Sequence, residues 1–311
     1  MKPNILFLVG PTGSGKSELA ISLAKVLNGE IISCDSMLVY RGMNIGTAKL
    51  NREEREGIKH YLIDLKNPRQ QFSVSEYRKR ALEAIRKILD RKRLPIVVGG
   101  SGLYVQALID GLVPESNKTA KTRKKLEEKL KRYGISYLYK RLKKIDPERA
   151  CEILPSDSRR IIRALEIYET YHTKPSEWRK KRVALQELGH TWTMIGLMRD
   201  RQELYERINH RVERMIAKGF IREVKRLSKQ GFSKTARQAI GYLEISQYLK
   251  NKISLDKAIE ETKKRSRHLA KKQLIWFRKE KRIKWIFVPK HSSLNEVKNS
   301  VVNTWKNVRN I

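Results

Sequence analysis

Cysteine is almost missing from this 311-residue chain. The two that occur, Cys34 and Cys151, stand far apart and form no C-x-x-C pair. A disulfide framework and a zinc knuckle are therefore excluded, and a reducing compartment fits. Long apolar runs are missing too. The first, Asn4-Ile5-Leu6-Phe7-Leu8-Val9, is six residues long and runs straight into glycines. That is too short for a signal peptide, and no stretch approaches the ~20 residues of a membrane span. A soluble, cytoplasmic chain without membrane contact is expected, as a monomer. Internal repeats and low-complexity linkers are absent. Acidic residues are scarce: 33 Asp and Glu face 69 Lys and Arg, giving a formal net charge of +36 at pH 7 and a pI near 10.3. A surplus of that size implies a polyanionic partner, nucleic acid ahead of anionic membrane. A generally lysine-rich composition is the plainer source of the same excess.

What is present begins with Gly10-Pro11-Thr12-Gly13-Ser14-Gly15-Lys16-Ser17, spaced G-x-x-x-x-G-K-S like a phosphate-binding loop. The apolar run before it suits a buried parallel strand. After it Leu19, Ala20, Leu23, Ala24 and Leu27 recur at helical spacing. In a strand–loop–helix of this kind the backbone N–H groups and the helix N-terminus favour an anion. Lys16 adds a mobile charge and Ser17 a hydroxyl of the type that sits on Mg²⁺. Two or more linked phosphates are the expected ligand. The motif leaves open whether they belong to a nucleotide.

Further strands are expected at Glu30–Asp35, Tyr61–Ile63 and Leu94–Val98, with a loop over 36–49. Ser75 is the expected cap of a helix whose Tyr77, Ala81, Ile85 and Ile88 share a face. Alternating strands and helices imply an α/β fold with a doubly wound parallel sheet, of the P-loop type. Its ligands lie beyond the carboxyl ends of the strands, which gathers residues 10–17, Asp35 and the turn at 99–102 around one crevice.

From about Pro114 the pattern becomes helical and basic, through Lys118, Lys121, Arg123 and Lys124. Gly134 is a helix stop, and Ser156 or Asp157 caps a helix carrying Arg159, Arg160 and Arg163 on one edge. The expected division is a core over 1–114, a helical insertion over 115–190 and the rest of the core over 191–311. Asp200 with Glu203 has a capping-box pattern. In the helix it opens, Leu204, Ile208, Val212 and Met215 form a buried stripe. Arg207, Arg211, Arg214 and Lys218 run beside it; Arg211 borders the apolar face and can lean into a crevice, while the others face water. Ser254 caps a long helix expected to bury Ile259, Thr262, Leu269, Leu274 and Phe277. Lys284–Val288 is a late strand returning to the sheet.

Two features bear on chemistry. Nucleotide hydrolysis requires an apolar strand closing on an Mg²⁺-binding Asp. Ile96-Val97-Val98 closes on glycines instead, and only Tyr61-Leu62-Ile63-Asp64 weakly qualifies. Asp35, at a strand end beside the phosphate loop, is either a turn-forming cap or a general base or metal ligand.

The chain resembles the tRNA dimethylallyltransferases. The resemblance rests on 10–17, on Ser33-Cys34-Asp35-Ser36-Met37-Leu38-Val39-Tyr40-Arg41-Gly42-Met43 followed by Ile45–Lys49, on His60–Asp64, on Gly99-Gly100-Ser101-Gly102-Leu103-Tyr104 and on Asp157–Glu166. It also rests on Arg207–Met215, Gln238–Glu244 and Ala270–Arg278, collinear over about 1–280. It implies transfer of a dimethylallyl group from dimethylallyl diphosphate to N6 of adenosine 37, beside the anticodon of tRNAs reading codons that start with U. Asp35 would be the general base, with Ser101 next to it in the catalytic role. Gly10 through Ser17 and Arg211 would hold the diphosphate, and Ser17 would hold Mg²⁺. Asp35, Ser36, Met37, Leu38, Ser101, Arg123, Arg159, Arg160, Ile161, Ile162 and Arg163 would meet the tRNA anticodon stem-loop. The chain departs from the pattern at Leu38, where Gln is usual, and at Ser101, where Thr is usual. The remaining readings are a P-loop kinase of nucleosides or nucleotides, an isopentenyltransferase of free adenine nucleotides, and an RNA-binding module whose loop is a relic.

Overall fold

The computed structural model describes residues 4–112 and 119–309. Short apolar runs and amphipathic stretches alternate, and the chain folds accordingly. In order it forms β1 (Ile5–Val9), α1 (Lys16–Val26), β2 (Gly29–Ser33), β3 (His60–Tyr61), α2 (Val74–Asp90), β4 (Leu94–Gly99) and α3 (Gly102–Ile109). Four helices follow: α4 (Thr119–Ile145), α5 (Pro147–Cys151), α6 (Ser158–Tyr171) and α7 (Pro175–Arg179). Then come β5 (Trp192–Met198), α8 (Arg201–Ala217), α9 (Phe220–Gln230), α10 (Tyr242–Tyr248), α11 (Leu255–Arg278), β6 (Ile283–Phe287) and α12 (Leu294–Arg309). Two compact units result, Met1–Leu108 with Gly189–Ile311, and Ile109–Leu188. The boundary expected between 114 and 115 falls outside the described residues, as does Lys118.

In the larger unit six strands pair in parallel in the order β3-β2-β4-β1-β5-β6. The all-apolar β1 is buried at every position, as a central parallel strand must be. Leu6 lies opposite Ile96 of β4 on one side and Thr193 of β5 on the other. Strand order changes direction at β1, so the crevice beyond its carboxyl end is where the fold admits a ligand. The phosphate loop leaves β1 at that end.

Several sequence expectations need correction. Ser73, not Ser75, caps α2, accepting the Glu76 N–H at 3.1 Å. Asp200 caps α8 by accepting the Gln202 and Glu203 amides, but the Glu203 carboxylate turns to Arg199 and leaves the capping box half made. Leu269 of α11 is exposed, and Ala258 and Ala270 share the buried face with Thr262 and Phe277 instead. The segment after 288, silent in the sequence, supplies α12. Its Val297, Val301, Val302 and Trp305 pack in one core with Leu19, Leu23 and Ala24 of α1.

In the smaller unit Leu126, Leu138, Leu142, Ile153, Ile161 and Leu165 form a separate core. Gly134 breaks α4 with φ 76° and ψ 174°, a conformation that glycine alone adopts without strain. Asp157 caps α6. Buried Asp146 accepts the Arg149 amide at the start of α5 and the Ser176 amide in α7, tying the two short helices together.

Trp305 is 1% exposed and braces the helix that starts in the phosphate loop. Trp305→Ala should destabilise the protein by about 3–5 kcal/mol, the usual range for removing a buried indole. Urea denaturation measures this; a midpoint unchanged from wild type would contradict the assignment of α12 to the core.

Candidate active site

The loop between β1 and α1 shows why its glycines are glycines. Gly13 and Gly15 have φ of 84° and 92°, and a Cβ on Gly10 would stand 2.8 Å from the Leu197 carbonyl. The backbone thereby wraps around a point at the N-terminus of α1, where unpaired helix amides favour an anion. Lys16 is buried there, its ammonium donating to the Pro11 carbonyl at 2.6 Å and to Ser14 Oγ at 3.2 Å. Ser17 is exposed and lines the cleft.

That cleft has a volume of about 940 Å³ and joins the loop to Asp35, Leu38, Arg211 and Gln273. Asp35 follows β2, and its Oδ1 accepts the Met37 amide at 2.8 Å. The turn reading of Asp35 is thus real, and its second carboxylate oxygen remains for other work. A Cβ on Gly99 would meet the Cys34 carbonyl at 2.1 Å, so β4 must end in glycine for Asp35 and the loop to lie so close. Ser101 immediately precedes α3, its amide on the Cys34 carbonyl at 3.4 Å; it does not line the cleft. Ser36 and Met37 are half-buried beside Asp35.

Arg211 reaches the crevice as its place on the helix edge implied. Its guanidinium donates to Thr12 Oγ1 at 3.0 Å and to the Thr47 carbonyl at 3.1 Å. Arg207 does not simply face water, for its Nε donates to the Gly13 carbonyl at 2.9 Å. Burial, then the positive charge of Arg211, push the Lys16 ammonium down to about 7, with Asp35 opposing. Burial also lowers Arg211 below the ordinary guanidinium value, again opposed by Asp35. A site with two buried basic side chains beside a helix N-terminus is built for a multiply charged anion. Asp64, the weak Walker-type candidate, is instead held by Lys49 at 2.6 Å.

The arginines expected to meet RNA belong to the helical unit. Arg123 pairs with Glu127, Arg160 with Asp157, and Arg163 with buried Glu166. Ile161 and Ile162 are buried in that unit's core, so their side chains are not available for the tRNA contact expected of them.

Three contributors escaped the sequence reading. Gln273 Oε1 accepts the Thr12 amide at 2.8 Å, and a Cβ on Gly100 would clash with its side-chain amide, so it ties the phosphate loop to the 99–102 turn. Buried Glu223 accepts three consecutive amides, Asn44, Ile45 and Gly46, plus the Tyr242 hydroxyl at 2.6 Å. It thus fixes the cleft wall that offers the Thr47 carbonyl to Arg211. Arg199 donates to the Ser14 carbonyl at 3.2 Å. Periodicity carries no signal for any of them; Gln273 alone lies within a segment quoted for the family resemblance.

Known proteins resemble the chain over nearly its whole length. The family model described as IPP transferase matches residues 38–280. A tRNA dimethylallyltransferase of Thermoanaerobacter sp. (strain X514) is 48% identical over 307 residues, 97% of either chain. That of Carboxydothermus hydrogenoformans is 49% identical over 295 residues, 94% of either chain. Among solved structures, the full-length tRNA isopentenylpyrophosphate transferase of Bacillus halodurans is similar with a TM-score of 0.70 at 39% identity, covering 99% of this chain and 98% of its own. A eukaryotic dimethylallyltransferase acting on tRNA gives a TM-score of 0.83 at 29% identity, over 99% of this chain and 80% of that one.

The depressed Lys16 ammonium makes a pH prediction. Lysine in the unfolded chain titrates near 10.4. Between about pH 7 and that value the unfolded state holds the extra proton, so the empty protein gains stability as pH rises through the window. A bound polyphosphate favours the ammonium instead, so binding at pH 8 should draw a proton onto Lys16. Calorimetry with inorganic pyrophosphate in buffers of different ionisation heat should show this uptake, and Lys16→Met should remove it. Equal proton counts in the two proteins would refute the assignment.

Proposed function

The chain belongs to the IPP transferase family, and on that footing we propose that it transfers a dimethylallyl group from dimethylallyl diphosphate to N6 of the adenosine beside the anticodon of tRNA. The observation that carries this reading is the convergence of the phosphate loop, Lys16 and Arg211 with the carboxylate of Asp35, the one that opposes the lowering of both cations, in one cleft. A hydrolase would need its carboxylate to hold a metal at a Walker-type strand end; here the adjoining strand closes on glycines.

In the proposed reaction the adenine N6 attacks the allylic carbon, the carbon–oxygen bond breaks and diphosphate leaves whole. Asp35 takes the N6 proton through the carboxylate oxygen that the Met37 amide does not occupy. N6 is a weak nucleophile because its lone pair is shared with the ring, so a positioned base is worth typically ~10²–10⁴-fold. Loop amides, Lys16 and Arg211 meet the charge that builds on the leaving group. Ser17 would hold Mg²⁺ at the same place. Among the described residues no three His, Cys, Asp or Glu side chains gather as a metal cage. One protein hydroxyl, completed by phosphate oxygens and water, is a donor set that suits Mg²⁺. When bound, the ion would neutralise charge on the leaving diphosphate. The adenine must leave its stack to reach the cleft, as enzymes acting on a base require. We assign the 115–190 helical segment, with Arg123, Arg159, Arg160 and Arg163, to holding the anticodon stem-loop.

Labelled dimethylallyl diphosphate incubated with tRNA, with AMP or with neither tests the proposal. Label on tRNA alone is expected; label on AMP, or phosphorylation that depends on ATP, would overturn it. Asp35→Asn separates the two roles of Asp35, since the amide oxygen still accepts from Met37 but cannot take a proton. Its turnover should drop by about 10²–10⁴-fold, with tRNA affinity close to wild type in a filter-binding measurement.

A further inference from the structure

Arg199 and Arg207 contact the phosphate loop from the carbonyl side. Arg207 Nε donates to the Gly13 carbonyl at 2.9 Å, and Arg199 Nε donates to the Ser14 carbonyl at 3.2 Å. Both guanidinium groups come to the same spot: a Cβ built on Gly15 would lie 3.7 Å from one Nη2 and 3.8 Å from the other. The two residues differ in one respect. Arg207 is exposed and lines the cleft, whereas the Arg199 side chain is only 9% exposed and does not line it.

A peptide unit is planar, with its C=O and N–H on opposite edges. The unit joining Gly13 to Ser14 is used up inside the loop, since the Ser14 amide donates to the Pro11 carbonyl at 3.3 Å. In the next unit the Ser14 carbonyl faces Arg199, so the Gly15 amide is turned to the other side. Gly15 has φ 92° and lines the cleft, so this amide leads into the anion site ahead of the first amides of α1. Without a donor at the Ser14 carbonyl, that unit is free to turn at Gly15, whose missing Cβ leaves φ unrestrained.

Charge alone does not account for Arg199. Its Nη1 is paired with the buried Glu203 carboxylate, so the two charges largely offset each other at the distance of the cleft. What remains is direction: Glu203 fixes the guanidinium, and the guanidinium fixes the peptide.

We propose that Arg199, held by Glu203, is a positioning residue for the leaving group. By gripping the Ser14 carbonyl it aims the Gly15 amide at the diphosphate, while Arg207 holds the preceding peptide by its Gly13 carbonyl. The inference rests on the reading of residues 10–17 as the diphosphate site.

Inorganic pyrophosphate binding and steady-state kinetics test it together. In Arg199→Gln the dissociation constant for pyrophosphate and the KM for dimethylallyl diphosphate should both rise about tenfold, the scale of one charge-assisted hydrogen bond. The KM for tRNA should stay unchanged. Arg199→Lys, which keeps one donor within reach, should recover most of the loss, and Glu203→Gln should weaken pyrophosphate in the same direction by less. If Arg199 merely held the fold together, its variants would lose kcat through a smaller active fraction while donor KM and pyrophosphate affinity stayed at wild-type values; that result overturns the proposal. Wild-type protein that fails to bind pyrophosphate overturns the reading of the loop itself, and this inference with it. Variants that do not fold at all while Arg199→Lys folds with weak pyrophosphate binding would also contradict it, because the lysine should restore the grip.

Discussion

A buried lysine beside a buried arginine holds its proton weakly until an anion arrives, and much of the larger unit exists to keep the two side chains there. Lys16 and Arg211 are both depressed by burial, and the positive charge of Arg211 depresses Lys16 further. The protein makes this bearable without cancelling it. Lys16 folds back onto Pro11 and Ser14, Arg211 leans on Thr12 and Thr47, and Asp35 supplies the single opposing charge among the causes of both shifts. A diphosphate entering the cleft would favour the charged lysine again, so proton uptake at Lys16 accompanies its binding.

Holding cations in place requires levers, and α8 is the main one. Its stripe of Leu204, Ile208, Val212 and Met215 is buried, which fixes the helix axially and rotationally. Arg207 and Arg211 then point at the loop from one side of that fixed helix. The opposite wall is held by Glu223. A carboxylate that accepts three consecutive backbone amides behaves like a clamp, and it lets the 44–47 segment present a carbonyl rather than an amide to Arg211. Gly46 is required there because a Cβ would collide with Phe220 and Tyr242 at 2.2 and 2.6 Å. The phosphate loop itself is braced from behind by α1, which α12 covers with Trp305.

What could be read from the sequence follows a physical division. Residues 10–17 announce themselves because their function is local: the backbone of one short turn makes the site, and glycine spacing encodes that turn. Arg211 was legible because helical period places it on the border of an apolar stripe. The parallel sheet followed from alternation of strands and helices, and the late strand β6 did pair with β5 as its apolar pattern implied. Gln273, Glu223 and Arg199 were not legible, because each acts on backbone groups far away; Gln273 lies 261 positions from Thr12. No periodicity records such a pairing. Glu203 shows the competition directly. Its spacing from Asp200 predicts a capping box, but a guanidinium offers a charge-assisted bond where the cap offers a neutral amide, and the tertiary partner wins. Ser75 failed for a smaller reason: Ser73 stands two positions earlier with Glu76 three residues on, the better cap.

The arginines of α6 share an edge but not a state, and energy sorts them. Arg160 carries a 67% exposed side chain, and its pair with Asp157 at 3.3 Å lies on the surface. Exposed pairs are worth about 0–1 kcal/mol, so Arg160 can exchange its carboxylate for a phosphate at little cost. Arg163 is different. Its partner Glu166 is buried, with a side chain only 2% exposed. Withdrawing Arg163 would strand that carboxylate, at a typical cost of 3–5 kcal/mol. A phosphate contact does not repay that, so Arg163 serves RNA only in so far as it can do so without leaving Glu166. Ile161 and Ile162 lie inside the same helix's core face, and their burial sets which edge the arginines occupy. Of the five residues at 159–163, then, two orient the helix, one is tied to its own core, and Arg159 and Arg160 are the pair free to answer a polyanion.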